Sequence, residues 1–309
     1  MSAGLPVGIT VFERGWLSSN NILLAGTDTD AVLIDSGYVT HATQTVALVE
    51  EALGGRPLNL LLNTHLHSDH CGGNAALQFR YQGVRTEVPE GEFAAVASWR
   101  EEALTYRATG QHCPRFRVDG ALVADTERRL GGLLWQIHAA PGHDPQSVIL
   151  FEPISGTLIS ADALWENGFG VVFPELVGEP SFDDVAATLD MIESLAPRRI
   201  IPGHGRIFDG VAAALDTARK RLARLAIDPQ KHARHAFKVL IKFKLLEQQT
   251  MSIDLWAAWR DATPYLETIR SRFFDDRNLQ SLSDEILDEL IIVGAARRER
   301  HCISNSDRL

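Results

Sequence analysis

Cysteine is scarce in this chain: Cys71, Cys113 and Cys302 are the only three in 309 residues. Thiols so few and so scattered cannot build a disulfide framework, so reduced cysteines and a cytoplasmic location are expected. Long apolar runs are missing as well. No stretch approaches the roughly 20 consecutive apolar residues a bilayer span requires. Residues 1–8 have no basic segment leading into an apolar one, so a secretory leader is not expected either. Lysine is absent from residues 1–218, where 13 arginines stand against 27 acids. Residues 219–309 reverse the balance, with 17 basic and 13 acidic side chains, and the whole chain carries −10. The acidic body disfavours a general nucleic-acid binder. The interspersed charges of the basic segment are the usual pattern of a solvated helical surface. There is no short-period repeat and no low-complexity tract.

What is present is a dense group of ligand-type side chains. Residues 64–70 read Thr-His-Leu-His-Ser-Asp-His, placing His65, His67, Asp69 and His70 within six residues. Three imidazoles and a carboxylate suit a borderline metal such as zinc. The apolar run at 58–63 predicts a buried strand before them. Gly72-Gly73 and the run at 75–81 predict a tight turn opening a helix after them. The ligands therefore sit on a strand-end loop, where sites gather in layered α/β folds.

Residues 7–35 alternate and carry turn signals, which predicts successive antiparallel strands with a hairpin turn at 27–30. Helical spacing covers 41–53 and stops at Gly54-Gly55. A helix is expected over 90–109, strands within 115–139, at 147–151 and at 157–160, a helix over 181–195 with Ser181 as N-cap, and a last strand at 199–201. Strands then helix, twice over, imply two sheets packed face to face with helices outside. From about residue 212 the pattern turns mainly helical. Asp228-Pro229 opens a helix reaching about 247, further helices follow at 252–261 and 264–274, and Ser283 is expected to cap one at 284–293. The expected organisation is residues 1–211 as one α/β domain and 212–309 as a smaller helical module.

Three further strand ends carry a ligand-type residue beside a small one: Pro141-Gly142-His143-Asp144, Ser160-Ala161-Asp162-Ala163 and Pro202-Gly203-His204-Gly205. Together with His-x-His-x-Asp-His, and in this order, they resemble the metallo-β-lactamase-fold superfamily of metal-dependent hydrolases over about residues 7–210. The resemblance implies a four-layer αββα sandwich and two divalent metals, most simply zinc, with iron or manganese as alternatives. It implies that His65, His67 and His143 hold one ion, that Asp69, His70 and His204 hold the other, and that Asp162 bridges them. Such a pair would make hydroxide available near neutrality, with Asp69 as its orienting and proton-accepting group. Asp35, in Ile34-Asp35-Ser36-Gly37, would brace a ligand loop.

Branches of the superfamily can be pruned. Without a leader, a secreted β-lactamase is not expected. The 42-residue interval from Asp162 to His204 is too short for the inserted domain of β-CASP nucleases. Flavin-linked diiron proteins carry Glu where His67 stands. Acyl hydrolases resembling glyoxalase II, acting on thioesters, esters or lactones, remain, as does a regulatory thioesterase-like protein with slow turnover. An endoribonuclease or phosphodiesterase with a winged-helix tail is the alternative, since residues 286–298 loosely resemble a winged-helix third helix and wing. The expected partner is a small acyl substrate, with a homodimer as the assembly and nucleic acid disfavoured. Trp165, Phe169 and Phe173, on the loop after Asp162, are candidate pocket walls, Trp16 is a candidate edge, and His112 belongs to a loop that overhangs the site.

Overall fold

The computed structural model describes residues 4–306. Residues 1–3 and 307–309, the ends of the two expected segments, lie outside the described residues. The first sheet is built from β1 (Ile9–Phe12), β2 (Asn21–Leu24), β3 (Val32–Ile34), β4 (Leu60–Leu62), β5 (Arg85–Pro89) and β6 (Gly120–Leu122), in that order across the sheet. Its first two pairings are antiparallel and its last three parallel. The second sheet runs β11 (Arg199–Pro202), β10 (Thr157–Ala161), β9 (Val148–Glu152), β8 (Leu133–Ala139), β7 (Thr126–Leu130), and only β10–β11 is parallel.

The layers follow from the two-residue period of strands. In β2, Ile22 and Leu24 join Ile34, Leu62, Trp135, Ile137, Leu150 and Ile201 in the core between the sheets. Leu23, one step out of phase, packs with Leu33 and Leu61 against Val49 and Leu53 of α1 (Ala42–Leu53) and against Leu77. On the far side, Ile149, Leu158 and Ile200 pack against Leu189 of α6 (Phe182–Leu195) and Leu215 of α7 (Val211–Ile227). Each fully buried Leu or Ile contributes on the order of 1.5–3 kcal/mol, which holds the four layers together. The fold is therefore the expected αββα sandwich with a helical segment beyond it.

The helices between carry the loops. They are α2 (Ser68–Cys71), α3 (Asn74–Arg80), α4 (Glu90–Ser98) and α5 (Phe173–Val177). Past α7 come α8 (Pro229–Gln248), β12 (Thr250–Ser252), α9 (Ile253–Asp261), α10 (Pro264–Phe273), α11 (Leu279–Ile292), β13 (Ala296–Arg298) and β14 (Cys302–Asn305). The last three strands form a small sheet in the order β12-β14-β13. Phe237, Leu240, Ile269, Ile286 and Leu287 fill the core of this segment, and Val171 and Leu176, which precede α6, join it.

Several local expectations change. The helix at 90 stops at Ser98, because Trp99 turns into the left-handed region (φ 50°) and packs its ring on Tyr106 and Phe116. Ser181 makes no side-chain cap. The Glu175 carboxylate instead accepts the N–H groups of Ser181 (2.8 Å) and Phe182 (3.2 Å). Ser283 lies inside α11 and donates back to Leu279 O, while Asn278 caps the helix through Ser281 N–H. Asp228 does cap α8, accepting from Lys231 N–H.

Candidate metal centre

Four strand ends converge on one point. The loop from β4 delivers His65 and His67, and α2 delivers Asp69 and His70. The loop after β8 brings His143, the end of β10 brings Asp162, and the end of β11 brings His204. At β10 the register slips between Ile159 and Ala161, and Ala161 takes φ 46°. A bulge of this kind re-aims the next side chain, here Asp162, out of the sheet and toward the histidines.

Three sets of ligand atoms each lie within 4.8 Å of one another: His65, His67 and His143; His65, His70 and Asp162; Asp69, His70 and His204. Individual separations are 3.1 Å for His65 Nε2 to His67 Nδ1, 3.4 Å for His143 Nε2 to Asp162 Oδ2, 3.5 Å for His70 Nε2 to Asp162 Oδ1 and 3.1 Å for His204 Nε2 to Asp69 Oδ2. Two donors about 2.05 Å from one tetrahedral ion are about 3.3 Å apart. The spacing therefore suits divalent ions. The buried Nε2 atoms of His70 and His143 have no hydrogen-bond partner, which in a protein interior marks a lone pair kept for something else.

The outer nitrogens show why. His70 Nδ1 donates to Asp35 Oδ2 at 2.8 Å, and His143 Nδ1 donates to Val171 O at 2.5 Å. Each bond fixes the ring so that its other nitrogen faces inward. Asp35 also accepts from Thr64 N–H (2.9 Å) and Thr64 Oγ1 (2.8 Å), tying β3 to the ligand loop. It does so from a left-handed backbone (φ 57°), a conformation Asp and Asn tolerate better than other side chains. Gly170 backs His143 so closely that a Cβ there would lie 2.4 Å from Nδ1. Asp35→Asn is therefore expected to keep the fold and lower metal affinity about 10- to 100-fold. Competition against a chromophoric chelator measures it, and unchanged affinity would contradict the bracing role.

The electrostatics are divided in the same way. Burial drives the His65 pKa well below that of ordinary imidazole, lowers His67, and lowers His143 to about 4 with help from His67. These rings are neutral at pH 7, the form in which imidazole can ligate a metal. Burial disfavours charge on Asp162 and Asp69, but neighbouring histidines outweigh it. His204 and His70 hold Asp162 well below the carboxylate range, and the His204 hydrogen bond lowers Asp69. Burial disfavours charge on His70 too, but Asp162 and Asp35 outweigh it and raise its pKa well above ordinary imidazole, so an ion held there would have to displace its proton.

The remaining sequence candidates divide. Trp165 donates its indole N–H to Asp162 Oδ1 at 3.2 Å. Phe173 meets the rings of His67 and His143 at 5.8 and 6.3 Å. Phe169 is no open pocket wall, because it is buried behind His143 and Asp162 in the α6–α7 core, with the Arg221 guanidinium over its ring. The His112 side chain is exposed and its backbone N–H donates to Tyr38 OH. The loop instead touches α2 through Gln111, whose Oε1 accepts from Ser68.

Two contributors went unassigned from sequence. Asp144 Oδ2 lies 3.8 Å from His67 Nε2, and the acid directly after a ligand histidine was its signal. Asn20 donates to Pro202 O and Gly205 O, and its backbone N–H to Gly203 O, while Ser19 N–H donates to Asp69 O. The first hairpin thus staples two ligand loops together. Its signal was the polar run of residues 18–21 beside a strand, every member of which is buried.

The sequence profile described as the metallo-beta-lactamase superfamily matches residues 14–204, well over half of the chain. The chain belongs to this superfamily. A hydroxyacylglutathione hydrolase of Anaeromyxobacter dehalogenans is 32% identical over 163 residues, 52% of this chain and 52% of that protein. The chain thus spans about half the length of that curated relative. A metallo-beta-lactamase family protein of Thermus thermophilus shares the fold over 98% of this chain and all of its own, with TM-score 0.58 and 19% identity. A second solved structure, TTHA1623 in a di-iron-bound form, covers 68% of this chain and 98% of its own, with TM-score 0.53 and 26% identity.

Near the superfamily centre, Glu92 of α4 offers a pH test. Burial and the Asp144 charge push its carboxyl up to about 7 against Arg100. A carboxyl that binds its proton more tightly when folded stabilises the fold at low pH. That stability is lost as pH rises from about 4.5 through 7. Glu92→Gln is expected to flatten the decline and to gain up to about 3 kcal/mol at pH 8. Urea melts at pH 5 and pH 8 check it, and an unchanged difference between them would refute the assignment.

Proposed function

We propose that the chain is a cytoplasmic, metal-dependent hydrolase that cleaves small acyl substrates (thioesters, esters or lactones) at a two-ion centre. The observation that carries this reading is the pair of ligand sets meeting at Asp162. His65, His67 and His143 would hold one ion, Asp69, His70 and His204 the other, with Asp162 between. When bound, such ions supply Lewis acidity and a water acidic enough to attack at neutral pH. Zinc suits this donor set, and the di-iron form of one structural neighbour supports iron as the alternative.

The chain's own residues do the rest. Asp69, ionised and held by His204, accepts the proton of the attacking water. Trp165 fixes the Asp162 carboxylate. Phe173, braced by the Tyr265 ring at 5.5 Å and by the Tyr265 hydroxyl donating to its carbonyl, walls the His67 side and excludes water beside the acyl group. The curated relative named as a hydroxyacylglutathione hydrolase supports a thioester. All three cysteines are free, which supports a reducing compartment. Among the described residues, no helix is long and apolar enough to cross a membrane.

The nuclease alternative has less support. The basic C-terminal segment spends many of its cations internally: Arg234 on Glu285 and Glu289, Lys238 on Glu289, Arg277 on Glu285, and Arg298 on Asp284 and Asp288. Metal analysis of the purified protein, followed by a panel of thioesters, esters, lactones and phosphodiesters, is the test. Turnover confined to phosphodiesters, with salt-sensitive RNA binding, would replace this reading with the nuclease. Full metal occupancy with no turnover at all would point to a regulatory protein.

A further inference from the structure

The aromatic side chains around the centre differ from one side to the other. On the His204 side stand two tryptophans. The Trp16 ring lies nearly parallel to the His204 imidazole, with centroids 5.5 Å apart and planes at 14°. It meets Trp165 edge-on at 5.4 Å and 63°, and Trp165 meets His204 edge-on at 5.5 Å and 76°. Trp165 is committed at its polar end to Asp162. Trp16 is not committed: 58% of it remains exposed.

That exposure is not the result of a loose segment. The turn carrying Trp16 is closed by Ser18 N–H donating to Gly15 O at 3.2 Å and Arg14 N–H donating to Asn20 Oδ1 at 2.9 Å. Asn20 in turn is fastened to the His204 loop through Pro202 O and Gly205 O. The largest apolar side chain type is therefore held in one place, one face on a ligand histidine and the other in water. Two indoles set at 63° present a face and an edge together. A flat π-system is complementary to both, by offset stacking on one and edge contact with the other. A saturated chain gains only buried area from the same surface.

We propose that Trp16, with Trp165, is a specificity-determining wall that selects acyl groups carrying a planar aromatic or conjugated system beside the carbonyl over saturated alkyl acyl groups. This deepens the acyl-hydrolase reading and rests on it for the bond cleaved. The preference itself belongs to the wall and can be read without turnover.

The test compares benzoyl and hexanoyl thioesters of N-acetylcysteamine on metal-loaded wild type, Trp16→Ala and Trp16→Phe. Trp16→Ala is expected to lower the benzoyl-to-hexanoyl ratio of kcat/KM about five- to tenfold, the worth of one aromatic pair, and Trp16→Phe to recover most of it. An unchanged ratio overturns the proposal while leaving the acyl-hydrolase reading intact. Calorimetric titration with benzoate and hexanoate gives the second readout. Wild type is expected to bind benzoate more tightly, and Trp16→Ala to lose that preference. If neither thioester is hydrolysed but this preference is found and lost as described, the wall stands and the acyl-hydrolase reading falls. Equal binding of both carboxylates by wild type overturns the wall.

Discussion

Asp69→Asn is expected to lower kcat about a thousandfold on whichever acyl substrate the protein turns over. The substitution keeps shape and volume but removes a carboxylate that the His204 contact at 3.1 Å holds ionised. An amide cannot take a proton from water, and general-base assistance is worth roughly 10²–10⁴ in rate. The same carboxylate is also a proposed ligand, so metal content must be measured beside the rate. If the variant keeps the wild-type number of ions and loses turnover, the loss lies in the proton. If ions and turnover are lost together and excess metal restores both, the role is ligation alone. Unimpaired turnover at normal occupancy would remove Asp69 from the mechanism. Chelation of the wild type is expected to abolish activity, with recovery when metal is returned.

How much of this could be read from the chain depended on how local the determining physics was. Ile22, Leu23 and Leu24 alternate because a strand has period two, and the structure sends Leu23 to one layer and its neighbours to another. The Gly54 stop is equally local, since its left-handed φ of 56° needs no distant partner. The loops bearing His65 to His70, His143, Asp162 and His204 could be placed at strand ends because small residues and ligands cluster there in sequence. What could not be read was decided across the fold. Trp99 ends α4 because Tyr106 and Phe116 offer its ring a place to pack. Glu175 caps α6 from seven residues before Phe182, where no local motif shows it. Phe169 and Trp165 look alike on one loop, yet the α6–α7 core takes Phe169 and Asp162 takes the Trp165 indole. His112 was placed by its chemistry, but backbone path put Gln111 against Ser68 instead.

Gly203→Ala is expected to cost at least about a hundredfold in both metal affinity and turnover, from the addition of one methyl group. A Cβ on Gly203 would lie 2.1 Å from Asp162 Oδ1 and 3.0 Å from the Ala161 carbonyl carbon. Contact at that distance forces a movement, and neither partner is free to give. The Asp162 carboxylate is held at Oδ1 by the Trp165 indole (3.2 Å), with His70 Nε2 3.5 Å away, and at Oδ2 it faces His143. The residue-203 backbone is pinned on both sides, its N–H donating to Ala161 O and its carbonyl accepting from Asn20 N–H, both at 2.7 Å. The strain must therefore appear as displacement of Asp162, the one residue shared by both proposed ion sites. Overpacking of this kind also destabilises a fold by about 1–3 kcal/mol, so thermal melts in chelator separate the steric cost from lost ligation. Gly83→Ala is the control. It lies on the exposed turn before β5, a Cβ there meets nothing within 4 Å, and its φ is not in the left-handed region. Its stability is expected to stay within about 0.5 kcal/mol of wild type. If Gly203→Ala binds metal as tightly as this control, Asp162 does not hold the ions together, and the two-ion centre loses the residue on which it was argued.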